Sequence, residues 1–260
     1  MGPAGSGKST YCKLIQTCAE QQGRSVRVVN LDPAAETFNY RCDVDVRDCI
    51  SLDDVLSEMD LGPNGGLVFA LEYLVDNLSW LEEELDMMGE DDYLLFDCPG
   101  QIELYTHLPV MASLIKALKT AGFSLCAVYC VDCTFLSDAS KFISASLMAL
   151  ATMQSLSLPH LNILTKCDLV PNKQYLSDVL EMGPEELRGE LNSAFRSERF
   201  QALNAAFTDV LEKFSLVQFT MLDPGDESST QAVLYHADIA LQYFEGREVD
   251  TREPEEMDIE

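Results

Sequence analysis

Three short stretches of this chain carry side chains whose types and spacing suit phosphoryl chemistry. Gly2-Pro3-Ala4-Gly5-Ser6-Gly7-Lys8-Ser9 fits the pattern G-x-x-x-x-G-K-[ST], and Thr10 follows it. Glycines at 5 and 7 let the loop, Ser6 included, turn its N–H groups onto phosphate oxygens. Lys8 brings a positive charge to the outer phosphates, and the Ser9 hydroxyl can ligate magnesium. Asp97-Cys98-Pro99-Gly100-Gln101 follows an apolar run. An acid at the carboxyl end of a strand, here Asp97, reaches a magnesium ion directly or through water. Gly100 lets its N–H approach a γ-phosphate, and Gln101 can orient an attacking water. Taken alone, the same stretch reads equally well as a turn. Thr165-Lys166-Cys167-Asp168 fits [NT]-K-x-D. Its Asp168 can accept from the two donors on a guanine edge, which adenine lacks, and such polar mismatches discriminate by about 10⁴. Thr165 and Lys166 complete that set of nucleotide contacts.

Two further stretches have a plain reading and a functional one. Asp32-Pro33-Ala34 is either an Asx–Pro turn or a switch acid near the metal and the attacking water. Gly62-Pro63-Asn64-Gly65-Gly66 reads, without context, as an ordinary loop.

These residues need rigid elements to hold them. Apolar runs at 26–31, 93–96, 125–131, 161–164 and 216–222 predict short buried strands. Helical periodicity predicts helices over 9–22, 68–88, 104–121, 137–155 and 231–243. The alternation predicts an α/β fold, a mainly parallel sheet with helices on both faces. Residues 171–214 are helical, charged and too long for one crossover, so they predict a helical insertion within a domain spanning 1–244. Phe195, Phe200, Leu203, Phe207, Leu211 and Phe214 of that insertion either line a groove for a client peptide or pack onto the domain. Residues 245–260 hold eight acids against two arginines and predict a disordered acidic tail.

Composition narrows the partners. The chain has 260 residues and a formal net charge of −27, which disfavours a nucleic-acid backbone or an anionic membrane. Hydrophobic residues make up 47%, enough for a sizeable core. No apolar run approaches the roughly 18 residues of a membrane span. Nine cysteines without a secreted framework or signal peptide fit reduced thiols in the cytosol or nucleus. Cys130 and Cys133 form a C-x-x-C with no second pair at zinc spacing, so they read as core fillers. His107, His160 and His236 read as structural.

In their order along the chain, the P-loop, Asp-Pro-Ala, Gly-Pro-Asn, Asp-x-Pro-Gly-Gln and Thr-Lys-x-Asp motifs resemble the GPN-loop GTPases over almost the whole length. The wording Phe96-Asp97-Cys98-Pro99-Gly100-Gln101-Ile102-Glu103-Leu104-Tyr105 is the most specific part. Residues 62–69, with Pro3-Ala4, are most similar to the third eukaryotic paralogue. The resemblance implies a P-loop GTPase that binds GTP with magnesium, the metal at Ser9 and Asp97. It implies a dimer, with itself or with a paralogue, in which Asn64 reaches the partner's phosphates in trans. It also implies a role in assembly and nuclear import of RNA polymerase II, and a cytoplasmic protein that shuttles to the nucleus.

For the reaction, Lys8, magnesium and the P-loop amides would neutralise charge, while Gln101 with Asp32 or Glu103 would align or polarise water. Asn64, a neutral donor, stabilises developing charge less than an arginine would, so slow turnover is expected. A P-loop normally ends a strand, yet here it begins directly after Met1. The expectation is that the family's apolar first strand is missing, as in an isoform, a late start or a truncated gene model. The rival functions are an inactive dimerisation and client scaffold, and an ATP-driven metal-insertion or partition ATPase. The latter usually carries an early P-loop lysine where Pro3 and Ala4 stand.

Overall fold

The computed structural model describes residues 1–245 apart from 90, 172, 195–196 and 214–216. In chain order, α1 (Lys8–Gln21) leads into β1 (Val26–Asn30) and the two-residue β2 (Val44–Asp45). Helices α2 (Leu52–Glu58), α3 (Pro63–Asp76) and α4 (Leu78–Asp86) precede β3 (Tyr93–Asp97). Next come α5 (Glu103–Thr106), α6 (Val110–Thr120), β4 (Ala127–Asp132), α7 (Ala139–Leu156) and β5 (His160–Thr165). The chain then runs through α8 (Lys173–Leu180), α9 (Pro184–Ala194) and α10 (Glu198–Lys213) to β6 (Phe219–Met221) and α11 (Glu227–Leu241).

Every strand pair is parallel, in the orders β2-β1-β3 and β4-β5-β6. Side-chain alternation along the strands sorts the core into two faces. On one face Val26, Val28, Tyr93, Leu95, Cys130 and Ile163 pack in a single cluster with Ile15 of α1 and Val233 and Leu234 of α11. On the other, Val29 and Leu31 pack with α3, α4 and α6, and Tyr129, Val131 and Leu164 pack with α7 and α8. The expected helices on both faces are therefore present. Because the first cluster draws on both three-stranded sheets, β3 and β4 face each other edge to edge.

Between those edges lies Met1. Its amino group donates to the Val128 carbonyl at 2.8 Å, and its carbonyl accepts from the Cys130 N–H at 2.8 Å. That is the bond pattern of one parallel-strand residue opposite Tyr129. Its side chain packs against the apolar clusters on both sides. Met1 thus adds one strand-like residue along the β4 edge, between the two three-stranded sheets.

One buried ion pair locks the ends of the layer that holds α1. Arg24, just past α1, donates two bonds of 2.8 Å to Asp238 of α11, which is 1% exposed. The Arg24 guanidinium also lies 4.6 Å from the centre of the Tyr243 ring. Asp238→Ala would leave that guanidinium unpaired among aromatic rings, so a loss of about 3 kcal/mol in unfolding free energy is expected from denaturant titration.

Several expectations needed correction. The single helix predicted over 68–88 is two helices, split at Asn77, whose side chain donates back to the Tyr73 carbonyl at 2.8 Å. The helix predicted over 104–121 is broken before Val110, with Pro109 standing at the α6 N-terminus. The segment from Gly62 is no loop: extended Gly62 caps α3, and Pro63 occupies its first turn, where no N–H is needed. Strand β2 and helix α2 went unpredicted. The last strand is shorter than its apolar run, whose first residue, 216, lies outside the described residues.

Within 171–214 the described residues include the three helices α8, α9 and α10. There Phe207 and Leu211 pack against Leu187 and Leu191 and against Ile143 of α7, so these two side chains take the second reading and pack onto the domain. Phe200 and Leu203 are exposed, and Phe195 and Phe214 lie outside the described residues, as do residues 246–260 of the acidic tail. Among the described residues no helix is long and apolar enough to cross a membrane.

Candidate functional site

Strand ends and the turn before α1 bring the predicted residues to one edge of the sheet. The loop before α1 is shaped by left-handed backbone at Gly5 (φ 72°) and Gly7 (φ 84°). L-residues adopt that conformation at a cost of about 1–2 kcal/mol, which explains the glycines. The Lys8 ammonium rests on the Pro3 carbonyl at 3.1 Å, folded back over the loop that it would share with a phosphate.

Thr165, at the end of β5, is buried, and its hydroxyl donates to the Ser6 carbonyl at 2.7 Å. A Cβ on Gly7 would lie 3.3 Å from the Thr165 Cβ. Thr165 thus anchors the P-loop against β5, a positioning role that its place in the motif did not suggest.

Gly100 makes the other close approach. A methyl group there would sit 2.8 Å from the Ala4 Cα and 3.0 Å from the Ala4 N. Those are backbone atoms, so Gly100→Ala must displace either the P-loop or the 97–101 turn. Expected are at least a tenfold loss of nucleotide affinity by calorimetry and a stability cost of about 1–3 kcal/mol. From beneath, the fully buried Tyr105 donates its hydroxyl to the Pro99 carbonyl and fixes the turn.

Oxygen donors meet at the end of β3. Ser9 Oγ donates to Asp97 Oδ2 at 2.7 Å, and the Tyr40 hydroxyl donates to the same oxygen at 3.0 Å. A hydroxyl beside a carboxylate is the hard-oxygen donor set that magnesium prefers, so Ser9 and Asp97 fit that ion. Asp32, two residues past β1, accepts from the Ala34 N–H at 2.9 Å. It is therefore in an Asx–Pro turn and near the site at once, so its two readings are compatible. Burial raises its carboxyl above the usual range, opposed by the Ala34 bond and the nearby Lys8.

Gln101 and Asn64 come together within the chain: Gln101 Nε2 donates to Asn64 Oδ1 at 3.1 Å. The helix start at Pro63 is what carries Asn64 to that position. Glu103, in the first turn of α5, is exposed.

A cavity of about 190 Å³ opens on the other side of the P-loop, lined by Gly7, Thr10, Lys166, Asp168, Leu222 and Pro224 among others. Lys166 holds a left-handed backbone (φ 59°), and its ammonium bonds Asp132 Oδ2 at 2.6 Å. Asp168 stands exposed at this cavity. P-loop, metal-type donors and a base-sized pocket with a carboxylate thus share one edge in the order that the motifs predict.

A family model described as "Conserved hypothetical ATP binding protein" matches residues 1–243. "GPN-loop GTPase 3" of Dictyostelium discoideum is 46% identical over 257 residues, covering 98% of this chain and 89% of that protein. The proteins of the same name from Danio rerio and Saccharomyces cerevisiae are 45% and 44% identical. Each of these two covers 100% of this chain, with 92% and 97% of its own length matched. The chain belongs to the GPN-loop GTPases. A Pyrococcus abyssi GTPase solved in apo form shares the fold of this family member. It has a TM-score of 0.68 at 22% identity and covers 91% of this chain and 95% of its own.

Four residues that position this GPN-loop site escaped the sequence reading. Asp132 ends β4 just as Asp97 ends β3, and the strand-end rule applied there as well would have found it. Tyr105 lay within the most specific motif but offered no separate signal. Tyr40 and Pro224 carried none, since only the tertiary fold brings the 31–43 connection and the turn after β6 to the site. The C-x-x-C is a pair of core fillers: Cys130 and Cys133 are buried in different clusters, on opposite faces of the sheet.

Proposed function

We propose that this chain binds GTP with magnesium and hydrolyses it slowly, as a switch in the assembly and nuclear import of RNA polymerase II. The observation that carries the nucleotide reading is the P-loop set between the Ser9–Asp97 donor pair and the cavity holding Asp168. The polymerase role, the shuttling between cytoplasm and nucleus, and a paralogous or identical partner subunit rest on the family resemblance.

In this reading Lys8 leaves the Pro3 carbonyl for the outer phosphates, and the P-loop N–H groups cradle them. Ser9 and Asp97 would hold the magnesium, which when bound would supply charge neutralisation at the phosphates. Gln101 orients the water, with Asp32 or Glu103 polarising it. Asp168 selects guanine, which favours GTP over the ATP of the family model's description. In a dimer, Asn64 of the partner subunit would serve the phosphates, and each chain would first give up its own Asn64–Gln101 bond.

Calorimetry with GTP and ATP, with and without magnesium, tests the first part, and phosphate release by the chain and by Gln101→Leu tests the second. Preference for GTP and loss of hydrolysis in the variant are expected. Equal binding of ATP, or a turnover above about 10 s⁻¹, would overturn the guanine or the slow-switch reading respectively. Unimpaired polymerase import with Gln101→Leu would instead favour an inactive scaffold.

A further inference from the structure

We infer that Tyr40 is a positioning residue for the metal site, holding the Asp97 carboxylate in the orientation that receives the cation. The inference rests on the proposed magnesium-dependent binding and adds to it a residue outside every motif.

Two neutral hydroxyls converge on one carboxylate oxygen. Asp97 Oδ2 accepts from Ser9 Oγ at 2.7 Å and from the Tyr40 hydroxyl at 3.0 Å. The two in-plane lone pairs of Oδ2 are thereby used. Among the described residues, no side chain donates to Oδ1. A carboxylate with one oxygen fixed this way presents the other for a cation or its bound water without having to be reoriented on binding.

Both donors are carried by the same body. Ser9 lies in the first turn of α1, and Tyr40 is tied to α1 through its neighbour. Buried Gln16 of α1 accepts from the Arg41 N–H at 3.0 Å and donates to the Arg41 carbonyl at 3.1 Å. The Arg41 guanidinium also donates to the Val26 carbonyl at 2.7 Å. The Tyr40 ring packs at 5.2 Å from Phe38, and the Arg47 guanidinium lies 4.7 Å from the Phe38 ring centre. The hydroxyl is thus fixed from both sides.

Tyr40→Phe removes the hydroxyl and keeps the ring. The test titrates magnesium against the affinity for a fluorescent GDP analogue, beside affinity in chelator and thermal unfolding. Expected is a roughly tenfold rise in the magnesium concentration needed to tighten nucleotide binding, with affinity in chelator and unfolding temperature unchanged. In an Asp97→Asn background the same substitution is expected to add nothing, as befits an effect that runs through that carboxylate. An unchanged magnesium requirement would overturn the inference, and so would a lowered one, which would make Tyr40 a competitor of the cation. If the unaltered chain binds nucleotide equally with and without magnesium, the failure lies in the metal reading beneath it.

Discussion

Asp168→Asn is expected to weaken GTP binding by about 10³-fold while improving binding of xanthosine triphosphate. A carboxylate offers two acceptors to the paired donors of guanine. An amide replaces one acceptor with a donor, so one guanine N–H faces another N–H in a pocket with few alternatives. Mismatched polar groups in such a site discriminate by about 10⁴, and the exposure of Asp168 at the cavity rim lowers the expected figure. Xanthine carries a carbonyl where guanine carries its amino group, and the new amide donor matches it. The backbone should not move, because Lys166 and Thr165 are held by bonds to Asp132 and the Ser6 carbonyl that do not involve Asp168. Competition binding against the fluorescent analogue measures both nucleotides. A GTP affinity within tenfold of the unaltered chain would mean that the cavity takes the base in some other way.

Joining a four- or five-residue apolar, β-branched segment to Met1 is expected to raise the unfolding free energy by about 3 kcal/mol, from the opposing terms below. The slot between β3 and β4 has a defined polarity. On β3, the Tyr93 N–H bonds Ser25 and the Asp97 carbonyl bonds Leu31, so alternate residues Leu94 and Phe96 point their N–H and C=O into the slot. On β4, Val128 and Cys130 point the same way, and Met1 uses one carbonyl and one N–H of that edge. A strand running into Met1 in parallel would meet Leu94, Phe96 and the Val128 N–H. Five hydrogen bonds at about 1 kcal/mol net and four aliphatic side chains at about 1 each, once about 1 of side-chain ordering is set against about 2 of burial, are opposed by roughly 1.5 per residue of backbone ordering, which leaves about 3 kcal/mol. At about 2–4 °C per kcal/mol, the midpoint of thermal unfolding would rise by about 6–12 °C. Because the P-loop leaves this slot directly, nucleotide affinity should rise as well. The control is the same segment with proline at its centre, which cannot donate to either edge. Equal behaviour of the two extensions would show that the slot does not take a strand.

Much of the site was legible because its chemistry is carried by contiguous residues. The P-loop, Asp97 to Gln101 and Thr165 to Asp168 are each a strand end plus a turn, and local spacing is enough to find them. Tyr40, Tyr105 and Asp132 act through partners far away in sequence, so no window of neighbours contains the signal. Asn64 failed in a different manner. Its Pro-Asn-Gly surroundings suit a turn, and the decision for a helix start came from α3 packing on α2. There Gly66 admits Leu52 and Leu56, whose Cδ atoms would lie 2.9 and 3.1 Å from an added Cβ. The split at Asn77 was equally hidden, since the leucine spacing runs on through it.

What the sequence determined by itself is the layered α/β class, the parallel strands and the motifs that hold the candidate phosphate, metal and base residues. Period-2 and period-3.6 apolar patterns report which faces must leave water, and glycines report where the backbone must turn. The tertiary structure alone decided that Gln101 meets Asn64, that Thr165 anchors the P-loop, and that Tyr40 shares the Asp97 oxygen with Ser9. It also decided that Met1 pairs with the β4 edge. Those outcomes depend on which edges and helix faces come within about 3 Å of one another, a distance that composition and spacing do not encode.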